Sequence, residues 1–455
     1  MSIRHSFTFC RIAQALASLC IFILMGFAQA QVTQSTRGSA PASFQQATPL
    51  KLSVVLDWVK RLPDVGVALQ QWESAKANIQ IADHAPLPVA SIKAGSIDLQ
   101  NGIGNGTILG QKRVDKALGV DWTWERGDKR LQRTLTAQNE AAAAYSEYLD
   151  VVVQKNIEAY IAYFQLKASQ QRFEELNDLL QSSVQLERIS QLRLKAGDIS
   201  QQDVSRIAIE TLRAQTDVLT ARLENQKSIR TLAIATGIAT PADQWFAADN
   251  WPEQQASFLT QDFSDQQFLA SIESRPDVIA AKQRVTAAEF ALKSAQALKS
   301  TDVTVGSSFD HYPPDQRRSV ELRMQFPLQW GYSYQGEIVR GQTQLQIAKD
   351  TLQKVVVNAS SQLSNAWSNV KIAAQRLQAF ENEMAPKAQQ VLEQAELAYQ
   401  KGGISLTDLL EARRIYRTTR LDVVNAKLEF SSATGAWQMR TQNNNTSSTQ
   451  PVIKN

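Results

Sequence analysis

Leu194-Lys-Ala-Gly-Asp-Ile-Ser200 and Tyr399-Gln-Lys-Gly-Gly-Ile-Ser405 are two versions of one phrase, with Gly197 and Gly402 standing 205 residues apart. Each is followed three residues later by an aspartate, Asp203 and Asp408, and each interrupts a very long run of helix-forming residues. A second pair lies upstream. Leu62-Pro-Asp-Val65 and Arg275-Pro-Asp-Val278 both open Ala-rich helical segments, and their prolines are 213 residues apart. Two phrases repeated at nearly one offset mean two copies of a unit of about 200 residues, from which the fold has to be built.

Leu131 to Ala196 contains neither Gly nor Pro and is rich in Ala, Gln, Leu and Glu. At 1.5 Å rise per residue such a run makes a helix about 100 Å long. Globular helices average ~11–12 residues, so this length predicts a coiled coil or a helical tube. Gly197 ends the helix, Asp198 or Ser200 caps the next, and a second helix runs from about Gln201 to Gly237. In the other copy Gln342 to Lys401 is interrupted only at Pro386, Gly402-Gly403 turns the chain, and Leu406 to Gly435 returns. Leu421, Val424 and Leu428 follow the three-four spacing of a packed helix face. Much of the remaining surface is Ala, Ser, Gln and Thr, as at Ala141–Ala144 and Ala359–Ala366. Small side chains let helices approach closely but each buries little area, at ~25 cal/mol per Å². One such hairpin is marginal; several side by side share their faces and enclose a polar lumen. A spectrin-like or filament-forming coiled coil is the plain alternative.

Each copy also places strand-like segments between its short Ala-rich helix and its long one. Val303, Val305, Ser307 and Phe309 alternate with Asp302, Thr304, Gly306 and Ser308, and Val320, Leu322, Met324 and Phe326 with Ser319, Glu321, Arg323 and Gln325. His311–Arg318, with Pro313-Pro314, separates the two. In the first copy Leu118, Val120, Trp122 and Trp124 alternate with Gly119, Asp121, Thr123 and Glu125. The partner near Val89–Gln100 is less regular, and Asn101-Gly-Ile-Gly-Asn-Gly106 has the composition of its turn. Period two with one apolar face marks a half-buried strand. Ser319 to Trp330 has the length of a membrane-crossing strand, with Glu321 and Arg323 suited to a watery interior. Trp122, Trp124, Phe326 and Trp330 fall at the end nearer the long helices, where an interfacial belt belongs. A soluble sheet alternates in the same way. On the membrane reading four strands cannot close a barrel, since the smallest spanning barrels have eight, so several protomers must contribute.

The first thirty residues read as a secretory signal peptide: Arg4 and Arg11, an apolar run from Ile12 to Phe27, and Ala28-Gln29-Ala30 as a cleavage site. Cys10 and Cys20 both fall inside it, so the exported chain has no cysteine. Lipidation of Cys20 is disfavoured because Leu19 precedes it and Ile21 to Met25 continue the apolar core. Beyond residue 30 the chain carries 46 basic and 44 acidic residues, which gives no case for nucleic-acid binding. No later stretch reaches the ~18–20 apolar residues of a spanning helix. Of the three histidines, His5 lies in the signal, and neither His84 nor His311 belongs to a close His/Asp/Glu cluster. No G-x-S-x-G, P-loop or dinucleotide fingerprint is present, so no enzyme, cofactor or fixed metal site is expected.

Three stretches are similar to segments of the TolC-type outer-membrane factor family. Tyr399-Gln-Lys-Gly-Gly-Ile-Ser-Leu-Thr-Asp-Leu-Leu-Glu-Ala-Arg413 is the strongest. Trp124-Glu-Arg-Gly-Asp-Lys-Arg130 and Phe326-Pro-Leu-Gln-Trp-Gly-Tyr-Ser-Tyr-Gln-Gly336 are similar to members paired with heavy-metal and cation resistance-nodulation-division pumps. Arg126, Asp128 and Trp330-Gly-Tyr332 depart from that group's pattern. The resemblance implies a mainly helical homotrimer with a β-barrel part. Each protomer gives four strands to a twelve-stranded outer-membrane barrel and two long hairpins to a periplasmic tube. The tube docks on a periplasmic adaptor and an inner-membrane pump, and the assembly expels substrate, heavy-metal cations being favoured over drugs or a secreted polypeptide. A periplasmic scaffold or adaptor is the alternative from another class.

The chain divides into a signal peptide (1–30), an N-terminal extension (31–50), a first repeat (51–240), a linker (241–270), a second repeat (271–438) and a disordered tail (439–455). The strand pairs lie at about 88–125 and 302–330, and the hairpins at about 131–237 and 335–435. Gly197, Gly402 and Gly403 are turn residues tolerating positive φ, and with Asp203 they mark the hairpin tips and the adaptor contact that the resemblance implies. The resemblance places Asp408 and Glu411 at the channel constriction as acidic rings, with Tyr399 hydrogen-bonding a neighbouring hairpin to keep the tip closed. As residues alone, Asp408 and Glu411 are three apart on one helix face, where solvated carboxylates favoured by the helix dipole are the plain reading. Arg206 stands where the first copy would repeat Glu411, so the two tips are not equivalent.

Overall fold

The computed structural model describes residues 48–95, 97, 100, 102, 104–105, 114–239, 245–253, 265–312 and 317–441. The signal peptide, Cys20, Pro313-Pro314 and residues 442–455 of the tail lie outside the described residues.

The sequence repeat is a structural repeat. The first copy runs α2 (Pro63–Ala82), β2 (Val89–Gly95), β3 (Asp115–Trp124), α3 (Lys129–Ala196) and α4 (Gln201–Thr236). The second runs α6 (Pro276–Ala297), β5 (Val303–Tyr312), β6 (Arg317–Gln325), α7 (Gln335–Gln378), α8 (Ala385–Gln400) and α9 (Leu406–Thr441). Ahead of them stand β1 (Thr48–Leu50) with α1 (Leu52–Val59), and β4 (Trp245–Ala247) with α5 (Asp265–Glu273). Pro63 and Pro276 each occupy the first turn of their helix, where the missing N–H costs nothing. Helices α4 and α9 are each 36 residues long, so the returning arms match to the residue.

The second long helix differs from expectation in two ways. It starts at Gln335, seven residues before Gln342, and it does not break at Pro386. Residues Ala379–Met384 widen into a π-helical turn that leads into α8. Proline has no N–H to donate and its ring crowds the carbonyl four residues back, that of Asn382; one wider turn absorbs both effects and the helix continues. Helix α9 passes through Gly435, read from sequence as its end, and reaches Thr441. Residues 439–441, assigned to the tail, therefore belong to the returning arm.

Two extensions also turn out to be structured. β1, inside the N-terminal extension, pairs in parallel with β4, inside the linker. The pair lies on α3, where the buried Gln170 donates to the Trp245 carbonyl (2.7 Å) and accepts from the Ala247 N–H (3.1 Å). The single Tyr163 hydroxyl proton is shared between the Leu50 carbonyl (2.9 Å) and the Asp249 carboxylate (2.8 Å), binding the two ends of this patch together. Around it Val55, Val59, Tyr160, Phe164, Leu166 and Leu232 form one core. A second core joins the other hairpin, with Val278, Leu363, Val370, Phe430 and Trp437. Helix α3 packs on α2, α4, α6 and α9, so it is the element both repeats share.

The strands form one antiparallel sheet in the order β2-β3-β5-β6, the repeats meeting at β3–β5. β2 is shorter than the predicted Val89–Gln100, and most of its turn, 101–106, lies outside the described residues. β6 stops at Gln325 rather than extending to Trp330, because Pro327 cannot donate to a ladder. One face carries Ile92, Leu118, Val120, Trp122, Val305, Phe309, Val320, Leu322 and Met324, all exposed. The other carries Ser91, Asp121, Thr123, Ser308, Asp310, Glu321 and Arg323. There Arg323 Nη2 meets Asp121 Oδ1 at 2.6 Å across Gly306 of the intervening strand.

Candidate functional site: the hairpin tips

Two helical hairpins end in two tips, and one chemistry builds both. Gly197 closes α3 with φ 84°, its own N–H reaching the Leu194 carbonyl (3.0 Å) and the Asp198 N–H reaching that of Arg193 (2.9 Å). Gly402 repeats this with φ 74°, bonding to the Tyr399 carbonyl (3.1 Å), while the Gly403 N–H reaches Ala398 (2.8 Å). Only a residue without Cβ takes this left-handed turn without strain. Gly403 is a correction, because its φ is not positive. The turn needs one glycine, and the second is free of that demand.

Asp203 and Asp408 have the same local task. Ser200 caps α4: the Asp203 N–H donates to Ser200 Oγ (3.1 Å) and Ser200 Oγ–H donates to the Asp203 carboxylate (2.8 Å). At α9 the Asp408 N–H donates to Ser405 Oγ (3.2 Å), and both the Ser405 hydroxyl (2.8 Å) and its N–H (3.2 Å) donate to Asp408. This reciprocal box satisfies helix N–H groups that have no partner inside the helix, and it favours a carboxylate at the positive end of the dipole. Asp408 nonetheless stays exposed. Glu411 is one turn further along, also exposed, with Arg414 3.6 Å away. The two carboxylates thus share a helix end, as the spacing required, but the cation beside Glu411 was not foreseen.

Tyr399 meets the first hairpin through its ring. The Arg193 guanidinium lies 5.6 Å from the ring centroid, and its Nη2 donates to the Gln400 carbonyl at 3.2 Å. Within one protomer the contact Tyr399 makes with the first hairpin is a cation over its aromatic face. Above the tips a series of arginines on α9 ties helices together. Arg413 pairs with Glu396 (2.7 Å), Arg417 with Asp217 (2.9 Å), and Arg420 with Glu175 through both Nε and Nη2. Arg172 bridges the hairpins in the opposite sense, reaching Glu224 and Asn425. Sequence reasoning missed these arginines. Their three-to-four spacing, Arg413-x3-Arg417-x2-Arg420, was the available signal.

Among the described residues no group of His, Cys, Asp and Glu is arranged to hold a metal ion, and no helix is long and apolar enough to cross a membrane.

Residues 270–435 match the model of the family of outer membrane efflux proteins. Nodulation protein T of Rhizobium leguminosarum bv. trifolii is 22% identical over 408 residues, which cover 84% of this chain and 83% of that protein. Among solved structures, the outer membrane protein VceC of Vibrio cholerae superimposes with a TM-score of 0.67 at 18% identity, over 86% of this chain and 95% of that one. The Campylobacter jejuni outer membrane channel CmeC gives 0.65 at 16% identity, over 86% and 85%. CusC, described with transmembrane channel formation, gives 0.65 at 15% identity, over 89% and 95%. The fold is therefore that of these channels.

Proposed function

Because residues 270–435 match the outer membrane efflux protein family and the whole fold is that of its channels, we propose that three copies form a passive duct across the outer membrane. On this reading each copy contributes its four strands to a closed barrel and its two hairpins to a tube that reaches into the periplasm. The carrying observation is the four-stranded sheet. β2 and β6 are both edges, the exposed apolar face demands lipid, and the polar face demands water. Only closure with further copies satisfies all three. The tips at Gly197, Asp203, Gly402 and Gly403 are the surfaces offered to a periplasmic adaptor and, through it, to an inner-membrane pump of the resistance-nodulation-division type. Tyr399 with Arg193 holds the tips together, and Asp408 with Glu411 sets the charge of the mouth. The signal peptide at 1–30 routes the chain outward.

For cargo we favour heavy-metal cations, supported by the segments at Trp124–Arg130 and Phe326–Gly336. A wide duct needs little selectivity of its own, so the pump chooses. A strain lacking this chain should lose tolerance to divalent heavy-metal salts and regain it on complementation. Unchanged metal tolerance with a new sensitivity to organic drugs, or with a retained secreted polypeptide, would move the duct to those cargoes.

A further inference from the structure

The apolar face of the sheet carries three ionisable residues among those described, all basic and all in one row. Lys116 is registered with His311 and His311 with Arg318, with Ala94 completing the row on β2. Every acidic side chain of the sheet (Asp115, Asp121, Asp310, Glu321) projects from the opposite face, since alternate residues of a strand point to opposite sides. The row borders directly on Ile92, Leu118, Phe309 and Val320, and further apolar rows follow toward the helices. It therefore lies at the end of the sheet away from the helices, since α2 leads into Val89, α6 into Val303, and the hairpins follow Trp124 and Gln325.

The row sets the cations of Lys116 and Arg318 on either side of His311, with no acid on that face among the described residues. Lys116 Nζ and His311 Nε2 are also shielded from solvent with no hydrogen-bond partner. A buried, unpartnered donor costs free energy that a bound acceptor restores. Registered neighbours in a sheet stand ~5 Å apart, so the row spans about 10 Å of strand edge to edge. Cations directly above an apolar belt match an anionic headgroup whose acyl chains lie along that belt.

We propose that Lys116, His311 and Arg318 form a binding site for the phosphate of an anionic lipid in the outer leaflet, with its chains packed on Ile92, Leu118, Phe309 and Val320. The site rests on the barrel reading, which places this face against lipid and this end outward. Near an anionic headgroup each Lys or Arg contributes about fivefold in affinity, so loss of Lys116 and Arg318 weakens binding roughly 25-fold.

The test uses the full chain extracted from the outer membrane in mild detergent. Native mass spectrometry would follow retention of added lipid A, with phosphatidylethanolamine and inorganic phosphate as comparators. Wild type should retain lipid A preferentially, and Lys116→Gln with His311→Gln and Arg318→Gln should lose it. Lys93→Gln, on the polar face, should not change retention. Wild type retaining lipid A no better than phosphatidylethanolamine, or the triple variant retaining it equally, would overturn the site and leave the channel standing. Retention abolished equally by inorganic phosphate would show an anion site without lipid specificity and overturn the lipid assignment. Should the triple variant not assemble, each single variant is read the same way. A chain that never enters the membrane would overturn site and channel together.

Discussion

Gly435 of α9 lies directly under the ring of Tyr160 of α3: a Cβ at Gly435 would collide with Tyr160 Cε1 and Cδ1. The ring has no room to give way, because it is buried and packs on Phe164 at 4.8 Å between centroids. Burial likewise pushes the pKa of the Tyr160 hydroxyl up to about 12. This contact brings the second hairpin onto the first, so a glycine inside a helix is the condition for their close approach.

Gly435→Ala should therefore destabilise the protein, although alanine favours helix by about 1 kcal/mol. Overpacking a filled core costs about 1–3 kcal/mol and outweighs that gain. The thermal midpoint of the detergent-extracted protein should fall. In a Tyr160→Leu background the same change should be neutral or stabilising, and an equal loss in both backgrounds would remove the ring as the cause.

A pH-dependent cost resides in the cavity of about 370 Å³ lined by Asp150, Arg275, Asp277, Gln362 and Arg440. Burial, and secondarily the charge of Asp277, raises the Asp150 carboxyl above its ordinary value of 3.8. Below that value both folded and unfolded chains hold the proton, and Asp150 contributes no difference. As pH rises the unfolded chain releases its proton first, so the native state binds more protons and stability falls until folded Asp150 has ionised too. Asp150→Asn, which still accepts from Gln154, should be more stable than wild type at neutral pH and equal to it in acid. Parallel stability curves across that range would contradict the assignment.

At the tip, Arg193 over the Tyr399 ring makes two substitutions diverge. An exposed cation–π contact contributes about 0.5–1 kcal/mol and depends on the ring, not the hydroxyl. Tyr399→Phe should leave the resting conductance of the channel unchanged, whereas Tyr399→Ala and Arg193→Ala should both raise it. A rise with Tyr399→Phe as large as with Tyr399→Ala would restore the hydrogen-bonding role expected from the family resemblance.

On the proposed trimer, copies of Asp408 and Glu411 come together where the tube narrows, so they should make the mouth cation-preferring and responsive to divalent ions. Asp408 also closes the capping box with Ser405, so Ser405→Ala serves as the control that loosens the helix end by about 1 kcal/mol without altering charge. Asp408→Asn with Glu411→Gln should weaken cation preference and divalent block in single-channel recordings, and Ser405→Ala should not. Equal selectivity in wild type and double variant would place both carboxylates outside the pore.

The repeat, the lengths of α3 and α4, the turn at Gly197 and the two faces of the sheet were legible because each is a local pattern written over many residues. What stayed hidden depends on partners far apart in sequence. β1 and β4 are three residues each, too short for any period, and are specified by Gln170 and Tyr163 on a helix. Gly435 reads as a helix stop until Tyr160 is seen above it. Pro386 reads as a break because the wider turn before it leaves no mark in composition. Asp203 and Asp408 were found by repetition, yet their capping role was carried by Ser200 and Ser405 three residues earlier. Arg193 shows its purpose only when the other hairpin brings Tyr399 beneath it.

On the proposed reading one chain supplies a third of a membrane-spanning duct. This is measured most directly by the native mass of the protein extracted from the outer-membrane fraction, followed by current recording of the same preparation in a planar bilayer. A particle three times the protomer mass that conducts ions is expected. A water-soluble monomer or dimer that forms no conductance would contradict it and leave a periplasmic scaffold in its place.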